Sequence, residues 1–481
     1  MLGKILSNYK NISLPVKASL WFVLCSLVQK GISFLTTPLF TRLMTLNSYG
    51  KVVIYQSWME IIAIIITFNL TTGVFNKAMI KYERDRDGYT SSSLFLTSIL
   101  TITFFLFYLS CKSFWNAIFD LNTPMVSMLF IEIFISSAMS FWSIRNRFEY
   151  KYKSVIFFTL VVAVFAPVIS VLCVLHVEDD HQAEARVFGV LLVKVVVYLI
   201  VFVIIFYRGR KYIQFDYWKY SLMYNLPLIP HYLSQQVLTQ SDRIMISKIC
   251  GSGDAAVYGV AYQLSNVCFI FTLAMHNSFT PWTFENLRDR KYKDIGKVAF
   301  EIELAIGIVC FLFSLFSPEL ISILGGSKYA EAIWIVPPVA MSILFQTIYT
   351  FFANIEFYYE RTKIVMIASI FVAIANIILN SIFIPIYGFI AAGYTTMVCY
   401  VLYSIVHYIF MLLISRQEKI PMIYPFGKTW GVAIICIFLG LIASLLYRNT
   451  ILRYFVVSIV FIVMSIYLYK NKTRLISKIK I

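Results

Sequence analysis

Residues 155–176 have the sequence VIFFTLVVAVFAPVISVLCVLH, which contains no lysine, arginine, aspartate or glutamate. A helix of about 20 residues crosses the hydrocarbon core of a bilayer, which is roughly 30 Å thick, so this stretch is long enough to span a membrane. The rest of the chain has the same character, because 60% of its 481 residues are apolar and only 14% are charged. A soluble protein is about 45–50% apolar and about a quarter charged. The composition therefore indicates an integral membrane protein.

Apolar runs of similar length occur along the whole chain and predict an all-α, polytopic fold of about 14 transmembrane helices. The predicted spans are 17–41, 51–74, 91–111, 124–143, 155–176, 185–206, 221–249, 255–279, 294–317, 331–353, 364–384, 388–414, 427–446 and 451–469. The first run is longer than the apolar segment of a signal peptide, which has about 7–15 residues, so we expect a retained helix there.

Lysine and arginine alternate in abundance from one predicted loop to the next. If the N-terminus is cytoplasmic, the inside segments carry about 30 of these residues and the outside loops carry about 8. Cytoplasmic loops of membrane proteins are enriched in Lys and Arg, so the pattern predicts that both termini are cytoplasmic. Topology thereby explains most of the net charge of +17, and no nucleic-acid partner is expected.

The two halves of the chain share a junction motif. Tyr49-Gly50 follows the first predicted helix, and Tyr258-Gly259 follows the seventh. Internal repeats are typical of transporters whose two lobes enclose a central substrate site. We predict an N-lobe of six helices over 1–215, a C-lobe of six helices over 216–415, and two extra helices with a basic tail over 416–481.

The sequence lacks the usual signatures of metal, nucleotide and catalytic sites. Its eight cysteines are scattered through apolar runs without a CxxC pair, so they are expected to be packing residues. No GxxxxGK(S/T), HExxH or GxSxG pattern occurs. Asp85-Arg-Asp87 has the DxD pattern of metal-dependent sugar transferases, but it stands alone in a short charged loop. We expect no cofactor, no metal site and no enzymatic activity.

Polar side chains inside predicted helices are the candidates for function, because an ionisable group in the bilayer costs at least a few kcal/mol. In the first helix, Lys30 shares a face with Ser26, Ser33 and Thr37, and pairing with Glu60 is its structural alternative. The seventh helix carries two adjacent polar rows, formed by His231, Gln235, Thr239 and Asp242 and by Gln236, Gln240 and Arg243. So much polar surface cannot face lipid, so it lines either a water-filled cavity or a helix contact, and we predict the cavity.

Individual charges suggest different roles. The planar guanidinium of Arg243 suits a phosphate, whereas Asp242 could bind a coupling proton or sodium ion. Glu132 shares a stripe with two serines and is a further coupling candidate, while Lys194 could equally snorkel to the outer interface. The predicted substrate-binding residues are Lys30, Lys194, His231, Gln235, Gln236, Gln240 and Arg243, and the predicted ion-coupling residues are Glu60, Glu132 and Asp242. Polar residues near predicted cytoplasmic helix ends are expected to be interfacial, namely Glu301, Glu303, Asn354 and Glu356.

Short motifs in a fixed order over residues 15–415 add a family resemblance. They are Arg42-Leu-Met-Thr with Tyr49-Gly50, Pro227-Leu-Ile-Pro230, Asp242-Arg243-Ile-Met-Ile-Ser, Val257-Tyr258-Gly259-Val-Ala-Tyr262, Pro281-Trp282 and Pro385-Ile-Tyr-Gly388. Their order and spacing resemble those of bacterial polysaccharide-repeat-unit (O-antigen and capsule) flippases of the multidrug/oligosaccharidyl-lipid/polysaccharide exporter superfamily.

The resemblance implies a two-lobed, MATE-like fold in the bacterial cytoplasmic (inner) membrane. It implies alternating access, driven by an ion gradient or the membrane potential, that carries a polyprenyl-pyrophosphate-linked oligosaccharide from the cytoplasmic to the outer leaflet. Membrane lipid and other membrane proteins of glycan assembly are the implied partners. On this interpretation Lys30 and Arg243 hold the pyrophosphate, and His231 with the glutamines supplies hydrogen bonds.

Two other functions stay open at the level of sequence. A drug or metabolite antiporter of the same fold would favour an acidic, aromatic cavity, whereas Lys30 and Arg243 here accompany Glu60 and Asp242. A membrane enzyme of glycan assembly would place its chemistry on a large outer loop, and the longest outer loops here have about a dozen residues.

Overall fold

The computed structural model describes residues 13–470, which form 18 α-helices and no strand. The first nine helices are α1 (Leu14–Leu43), α2 (Leu46–Thr67), α3 (Val74–Lys81), α4 (Arg86–Ser110), α5 (Lys112–Phe119), α6 (Thr123–Phe148), α7 (Tyr152–Leu175), α8 (Gln182–Gly209) and α9 (Phe215–Asn225). The others are α10 (Ile229–Cys250), α11 (Ser252–Arg288), α12 (Tyr292–Leu315), α13 (Ser317–Leu324), α14 (Val336–Tyr358), α15 (Thr362–Tyr387), α16 (Ile390–Gln417), α17 (Phe426–Leu445) and α18 (Thr450–Lys470).

Twelve helical segments of the described chain are long and apolar enough to cross a membrane. Two further predicted spans correspond to α10, which is too polar to qualify, and to α18, of which Thr450–Ile462 qualifies as a shorter apolar helix. Large apolar side chains on the outer faces of the helices are exposed, such as Phe157, Phe165 and Leu175 on α7. These exposed surfaces need lipid to cover them. The all-α, multi-pass membrane fold predicted from composition is therefore confirmed, with 14 as an approximate count.

The predicted span 221–249 is wrong in detail, because it consists of two helices, α9 and α10. They are joined by a 3-10 turn at Leu226–Leu228 that contains Pro227, and Pro230 lies in the first turn of α10. Proline lacks the backbone N–H that continues an α-helix, and its ring crowds the preceding turn. Hydropathy alone does not place such a turn, so the predicted span runs through it.

Short helices occupy three segments that the sequence assigned to loops, wholly or in large part, namely α3, α5 and α13. Several basic residues behind the predicted orientation lie outside the described residues, namely Lys4, Lys10, Lys472, Arg474, Lys478 and Lys480. The cytoplasmic location of both termini therefore stays a prediction.

The described residues pack as two compact units. Unit 1 contains the described residues up to Gly259 together with Leu324–Gly326, and unit 2 contains Val260–Ile323 and the described residues from Ser327 onward. Helices α9 and α10 pack within unit 1, against α4 and α2 respectively. The three-part division at residues 215 and 415 stays a prediction.

In unit 1 the two Tyr-Gly junctions approach each other closely. A Cβ atom on Gly50 of α2 would lie 1.8 Å from the carbonyl oxygen of Ser252 at the start of α11. A Cβ atom on Gly259 would lie 2.9 Å from a methyl group of Val53. Small residues let helices cross with their backbones close together in membrane proteins. The repeated glycines therefore create one tight helix crossing.

In unit 2 helix α14 is central and packs against α12, α15, α16 and α17. The expectation that polar residues of α12 and α14 are interfacial is wrong for three of them. Glu303, Asn354 and Glu356 are 1%, 2% and 0% exposed. Asn354 and Glu356 lie near the end of α14, and Glu303 lies in the middle of α12. All three side chains are buried in protein, because α14 packs against α12, α15, α16 and α17.

Candidate functional site

Unit 1 contains a cavity of about 450 Å³ between its membrane helices. Three helices and one turn supply its wall, and most of the lining side chains are polar. The lining consists of Met59, Glu60, Ala63, Ile64, Thr67, Asn69, Thr71, Thr72, Glu132, Ile133, Ser136, Ser137, Ser140, Tyr232, Gln235 and Gln236. No lysine or arginine is among these lining residues.

Helical periodicity explains why these residues meet. On α6, Glu132, Ser136 and Ser140 are spaced four residues apart, so they lie on one face. On α10, Tyr232, Gln235 and Gln236 share a face in the same way. The sequence-predicted stripes of these two helices therefore face a common space, which also receives Glu60 from α2.

Glu132 is the most strongly bonded acid of the site. One carboxylate oxygen accepts a hydrogen bond from the Lys194 ammonium group on α8. The other accepts a hydrogen bond of 2.7 Å from the Tyr55 hydroxyl on α2. Glu132 is 3% exposed, and this network joins three helices at the cavity wall. The positive charge of Lys194 is largely neutralised by its ion pair with Glu132.

Glu60 differs from Glu132 because its side chain is exposed to the cavity. The charged side chains that act on it are Lys194, Glu132 and Arg243. Lys30 is not among them, and it lies on an exposed part of α1 outside the cavity lining. The alternative in which Lys30 pairs with Glu60 therefore has no support from the described contacts.

A tight turn after α2 closes one end of the cavity. Phe68 and Asn69 adopt left-handed backbone angles, and Gly73 has a φ of +70°. The buried amide of Asn225 donates hydrogen bonds to the carbonyl oxygens of Phe68, Asn69 and Thr72, at 3.1, 2.6 and 3.3 Å. This anchoring places Asn69, Thr71 and Thr72 in the cavity wall.

The turn also explains the position of Tyr232. A Cβ atom on residue 73 would lie 2.8 Å from the Tyr232 hydroxyl. Only glycine combines the required backbone angle with enough space for the tyrosine. Sequence reasoning missed the turn and Tyr232, although Thr71-Thr72-Gly73 after an apolar helix is a turn signal.

The polar residues in the C-terminal half of α10 form hydrogen bonds with nearby side chains and backbone groups. Asp242 is fully buried and accepts a hydrogen bond of 2.6 Å from the Tyr258 hydroxyl. Arg243 donates to Gln240 at 2.5 Å and to the Thr239 carbonyl at 2.9 Å. In these contacts Asp242 is bonded to a tyrosine of α11, whereas Arg243 is bonded to groups of its own helix. His231 lies near the Tyr232 ring, with a centroid distance of 5.8 Å.

The structure therefore brings together part of the predicted site. Gln235, Gln236, Glu60 and Glu132 line one cavity, and Lys194 is bonded to its wall. Lys30, His231, Gln240, Asp242 and Arg243 are not in its lining. Chemically the cavity offers hydroxyl and amide groups that both donate and accept hydrogen bonds, together with one accessible carboxylate.

Comparisons with known proteins agree with this arrangement of membrane helices. The family model described as "Polysaccharide biosynthesis protein" matches residues 16–287, which is more than half of the chain. The chain belongs to this polysaccharide biosynthesis family. A second family model, MatE, matches residues 227–382. The family resemblance predicted from the short motifs is confirmed.

A curated relative of this family member is Lsg locus protein 1 of Haemophilus influenzae. It is 23% identical over 367 residues, which cover 74% of this chain and 87% of the relative.

Two solved structures show the fold. The lipid II flippase MurJ, in an inward closed conformation, superposes with a TM-score of 0.68 at 13% identity and covers 94% of this chain and 99% of its own. An inward-facing multidrug-resistance MATE transporter of the MOP superfamily has a TM-score of 0.64 at 17% identity, with 84% and 96% covered. The predicted MATE-like transporter fold is confirmed, and these structures are of a flippase and a transporter rather than enzymes.

Proposed function

We propose that this protein flips a polyprenyl-pyrophosphate-linked oligosaccharide across the bacterial cytoplasmic membrane by alternating access. The observation that carries the proposal is the cavity of unit 1, which holds hydroxyl, amide and carboxylate groups inside a bundle of apolar helices. A glycan crossing a bilayer needs such groups, because a sugar hydroxyl without a hydrogen-bond partner costs free energy in an apolar setting.

The chemistry of the lining matches the sugar part of the cargo. Gln235, Gln236 and Asn69 can each donate and accept hydrogen bonds, and so can the hydroxyl groups of Ser136, Ser140 and Tyr232. Glu60 adds a strong acceptor for paired hydroxyl groups. We assign these residues to the glycan and not to the pyrophosphate, because a dianionic group would need cations that the lining does not contain.

The pyrophosphate would then bind elsewhere, and Lys30 and Arg243 remain our candidates for it. Lys30 is exposed on α1, and Arg243 is 8% exposed with its guanidinium held by Gln240. Because Gln240 holds the guanidinium in place, its planar fork can donate hydrogen bonds to phosphate oxygens in a fixed direction. The polyprenyl tail would stay in lipid.

An ion gradient or the membrane potential would drive the cycle. Of the three proposed coupling acids, Glu60 is the one that is accessible from the cavity. Glu132 and Asp242 are buried and hydrogen-bonded to tyrosine hydroxyls. Protonation of Glu60 would therefore respond most directly to cargo in the cavity. Both termini would face the cytoplasm, and other membrane proteins of glycan assembly would supply and receive the cargo.

The decisive experiment is deletion of the gene, followed by mapping of lipid-linked oligosaccharide with an impermeant lectin. We expect the glycolipid to accumulate and to bind lectin only after spheroplasts are lysed. The double variant Gln235→Leu/Gln236→Leu should fail to restore export, whereas the control Gln417→Leu, on an exposed helix end, should restore it. Lectin binding to intact mutant spheroplasts at the wild-type level would refute the proposal.

One observation favours a second candidate, a drug or metabolite antiporter of the same fold. The accessible carboxylate of Glu60, in a lining without lysine or arginine, could bind an organic cation. Ethidium efflux from cells that carry or lack the gene separates the two candidates. An efflux that depends on the gene and on Glu60, together with normal lipid-linked oligosaccharide, would favour the antiporter.

A further inference from the structure

Glu356 and His407 form a pair in the interior of unit 2 that the cavity of unit 1 does not involve. The Nδ1 atom of His407 on α16 lies 2.9 Å from both carboxylate oxygens of Glu356 on α14. Both side chains are 0% exposed. Ionisable groups buried among membrane helices are costly, so they are candidates for function by default.

Aromatic rings enclose the imidazole of His407. The Tyr349 ring stacks on it with a centroid distance of 5.4 Å, and the Tyr403 ring meets it edge-on at 4.6 Å. Tyr403 is fixed in turn by a hydrogen bond of 2.6 Å with Ser369 on α15. The second ring nitrogen, Nε2, has no hydrogen-bond partner among the described residues. The imidazole is thus held rigidly with one nitrogen available.

The charge of the pair depends on one proton. With a carboxylate and a neutral imidazole the pair carries a net charge of −1, and burial of that charge is unfavourable. Addition of one proton at Nε2 gives an imidazolium beside the carboxylate, and the pair then has no net charge. This step requires no other proton, ion or electron.

Three polar side chains of α14 are partly exposed near the pair. Gln346, Tyr349 and Thr350 lie on one helical face and are half-buried, whereas most of the helix is buried. Tyr349 is also the ring stacked on His407. We infer that a movement of this ring would admit a proton to the imidazole from this side of α14.

From this geometry we propose that Glu356 and His407 form a proton-binding site in unit 2, which takes up one proton in each transport cycle. The coupling role rests on the proposed function as a flippase, whereas the binding of a proton does not. The titratable side chains in contact with the imidazole are Tyr349 and Tyr403. The helices packed around the pair carry further titratable or charged groups, which include Glu303, Cys310, Cys399, Tyr408, Arg416 and Cys436. The charge that acts on Glu356 is that of His407.

Histidine-selective ¹⁵N NMR of the purified protein in micelles tests proton binding without cargo. Loss of one signal in His407→Gln assigns it. We expect that signal to report the uptake of one proton as the pH is lowered through the range in which the protein stays folded. In Glu356→Gln the proton affinity should fall by about tenfold or more, because the adjacent carboxylate stabilises the imidazolium. Glu303→Gln, which removes another buried acid of unit 2, should leave it unchanged.

The proton-binding site would be refuted if His407 kept one protonation state over this range. It would also be refuted if the midpoint of the His407 titration were the same in Glu356→Gln as in the wild type. Coupling is tested in vesicles that contain the protein and lipid-linked oligosaccharide from cells lacking the gene. A gradient of about one pH unit should bias the distribution of glycolipid by about tenfold per proton. His407→Gln and Glu356→Gln should lose this bias, and Glu303→Gln should keep it.

The two failures are distinguishable. Absence of any flipping by the wild-type protein, with a normal NMR titration, would refute the proposed function and leave the proton site standing. If His407→Gln flips the glycolipid and the pH gradient still biases its distribution as in the wild type, the coupling role alone is refuted.

Discussion

Lys194 on α8 donates a hydrogen bond to Glu132 on α6, although 62 residues separate them in sequence. The carboxylate is almost fully buried and also accepts a hydrogen bond from Tyr55. The pair thereby ties together three helices of unit 1. It also places the charge of a lysine behind the wall of the cavity instead of in its lining.

Removal of one partner of this pair should strongly destabilise the protein. Lys194→Ala leaves a buried carboxylate without its cation, which typically costs about 3–5 kcal/mol. The double variant Lys194→Met/Glu132→Leu should recover most of the loss, because no charge remains buried. Unfolding in detergent micelles by denaturant measures both effects.

Lys211→Ala is the matched control for this prediction. Lys211 pairs with Asp85 at 2.7 Å, but its side chain is 45% exposed, so its loss should cost less than about 1 kcal/mol. Equal effects of the Lys194 and Lys211 variants would show that the buried pair contributes no more than an exposed one.

The helix crossing at Gly50 gives a second prediction. Gly50→Ala forces a Cβ atom against the Ser252 carbonyl, where the separation would be 1.8 Å. Since the backbone at this contact must move, we expect a loss of about 1–3 kcal/mol or more in unfolding free energy.

Gly31→Ala on α1 is the control, because a Cβ atom there meets nothing within 4 Å. Alanine should stabilise that helix position by up to about 1 kcal/mol. A Gly50→Ala protein as stable as Gly31→Ala would mean that the crossing is loose.

The helical fold follows from features that the sequence displays directly. Apolar runs long enough to span a bilayer need no tertiary information, because lipid and not a protein core is their main environment. The stripes of Glu132 and of Gln235 are local in the same sense, since helical spacing alone places their members on one face. The Tyr-Gly repeat was also visible, but the mutual contact of its two copies was not.

Pairings between helices could not be predicted in this way. Nothing in the spacing of Lys194 distinguishes a bond to Glu132 from snorkelling to the membrane surface. Glu356 lies two residues from the end of its helix, where an acid is usually interfacial, and only the packing of α14 among four helices buries it. Partners of this kind are set by tertiary packing, which a single sequence does not encode in its periodicity.

A pH-dependent contribution to stability is expected from Glu149, at the end of α6. Burial raises the pKa of this carboxyl, but the hydrogen bond from Lys151 and the charge of Arg145 outweigh burial and hold the pKa below its usual value. The contacts are 2.5 Å and 3.0 Å long. Because the pKa is lower in the folded state, the stabilisation is complete above the unfolded value of about 4.3 and is lost as pH falls through the folded value.

Melting temperatures of the wild type and Glu149→Gln should therefore differ at pH 7 and converge in acid. Glu83→Gln is the control, because Glu83 is 74% exposed and contacts Arg86 only at 3.5 Å. Its difference from the wild type should be small at both pH values. A constant gap between wild type and Glu149→Gln down to about pH 3 would contradict the assignment.

The last prediction concerns the two proposed pyrophosphate ligands, Lys30 and Arg243. Arg243→Lys keeps the charge but loses the planar fork, so it should slow translocation less than Arg243→Ala and more than a neutral surface change. Lys30→Ala combined with Arg243→Ala should reduce translocation at least tenfold, measured as lectin access to lipid-linked oligosaccharide in reconstituted vesicles. Arg448→Ala, which removes an exposed arginine of unit 2, is the cationic control. A double variant that translocates at the full rate would remove both residues from the site. The cavity of unit 1 would then stand as a glycan site alone, and the pyrophosphate would need cations from elsewhere in the chain.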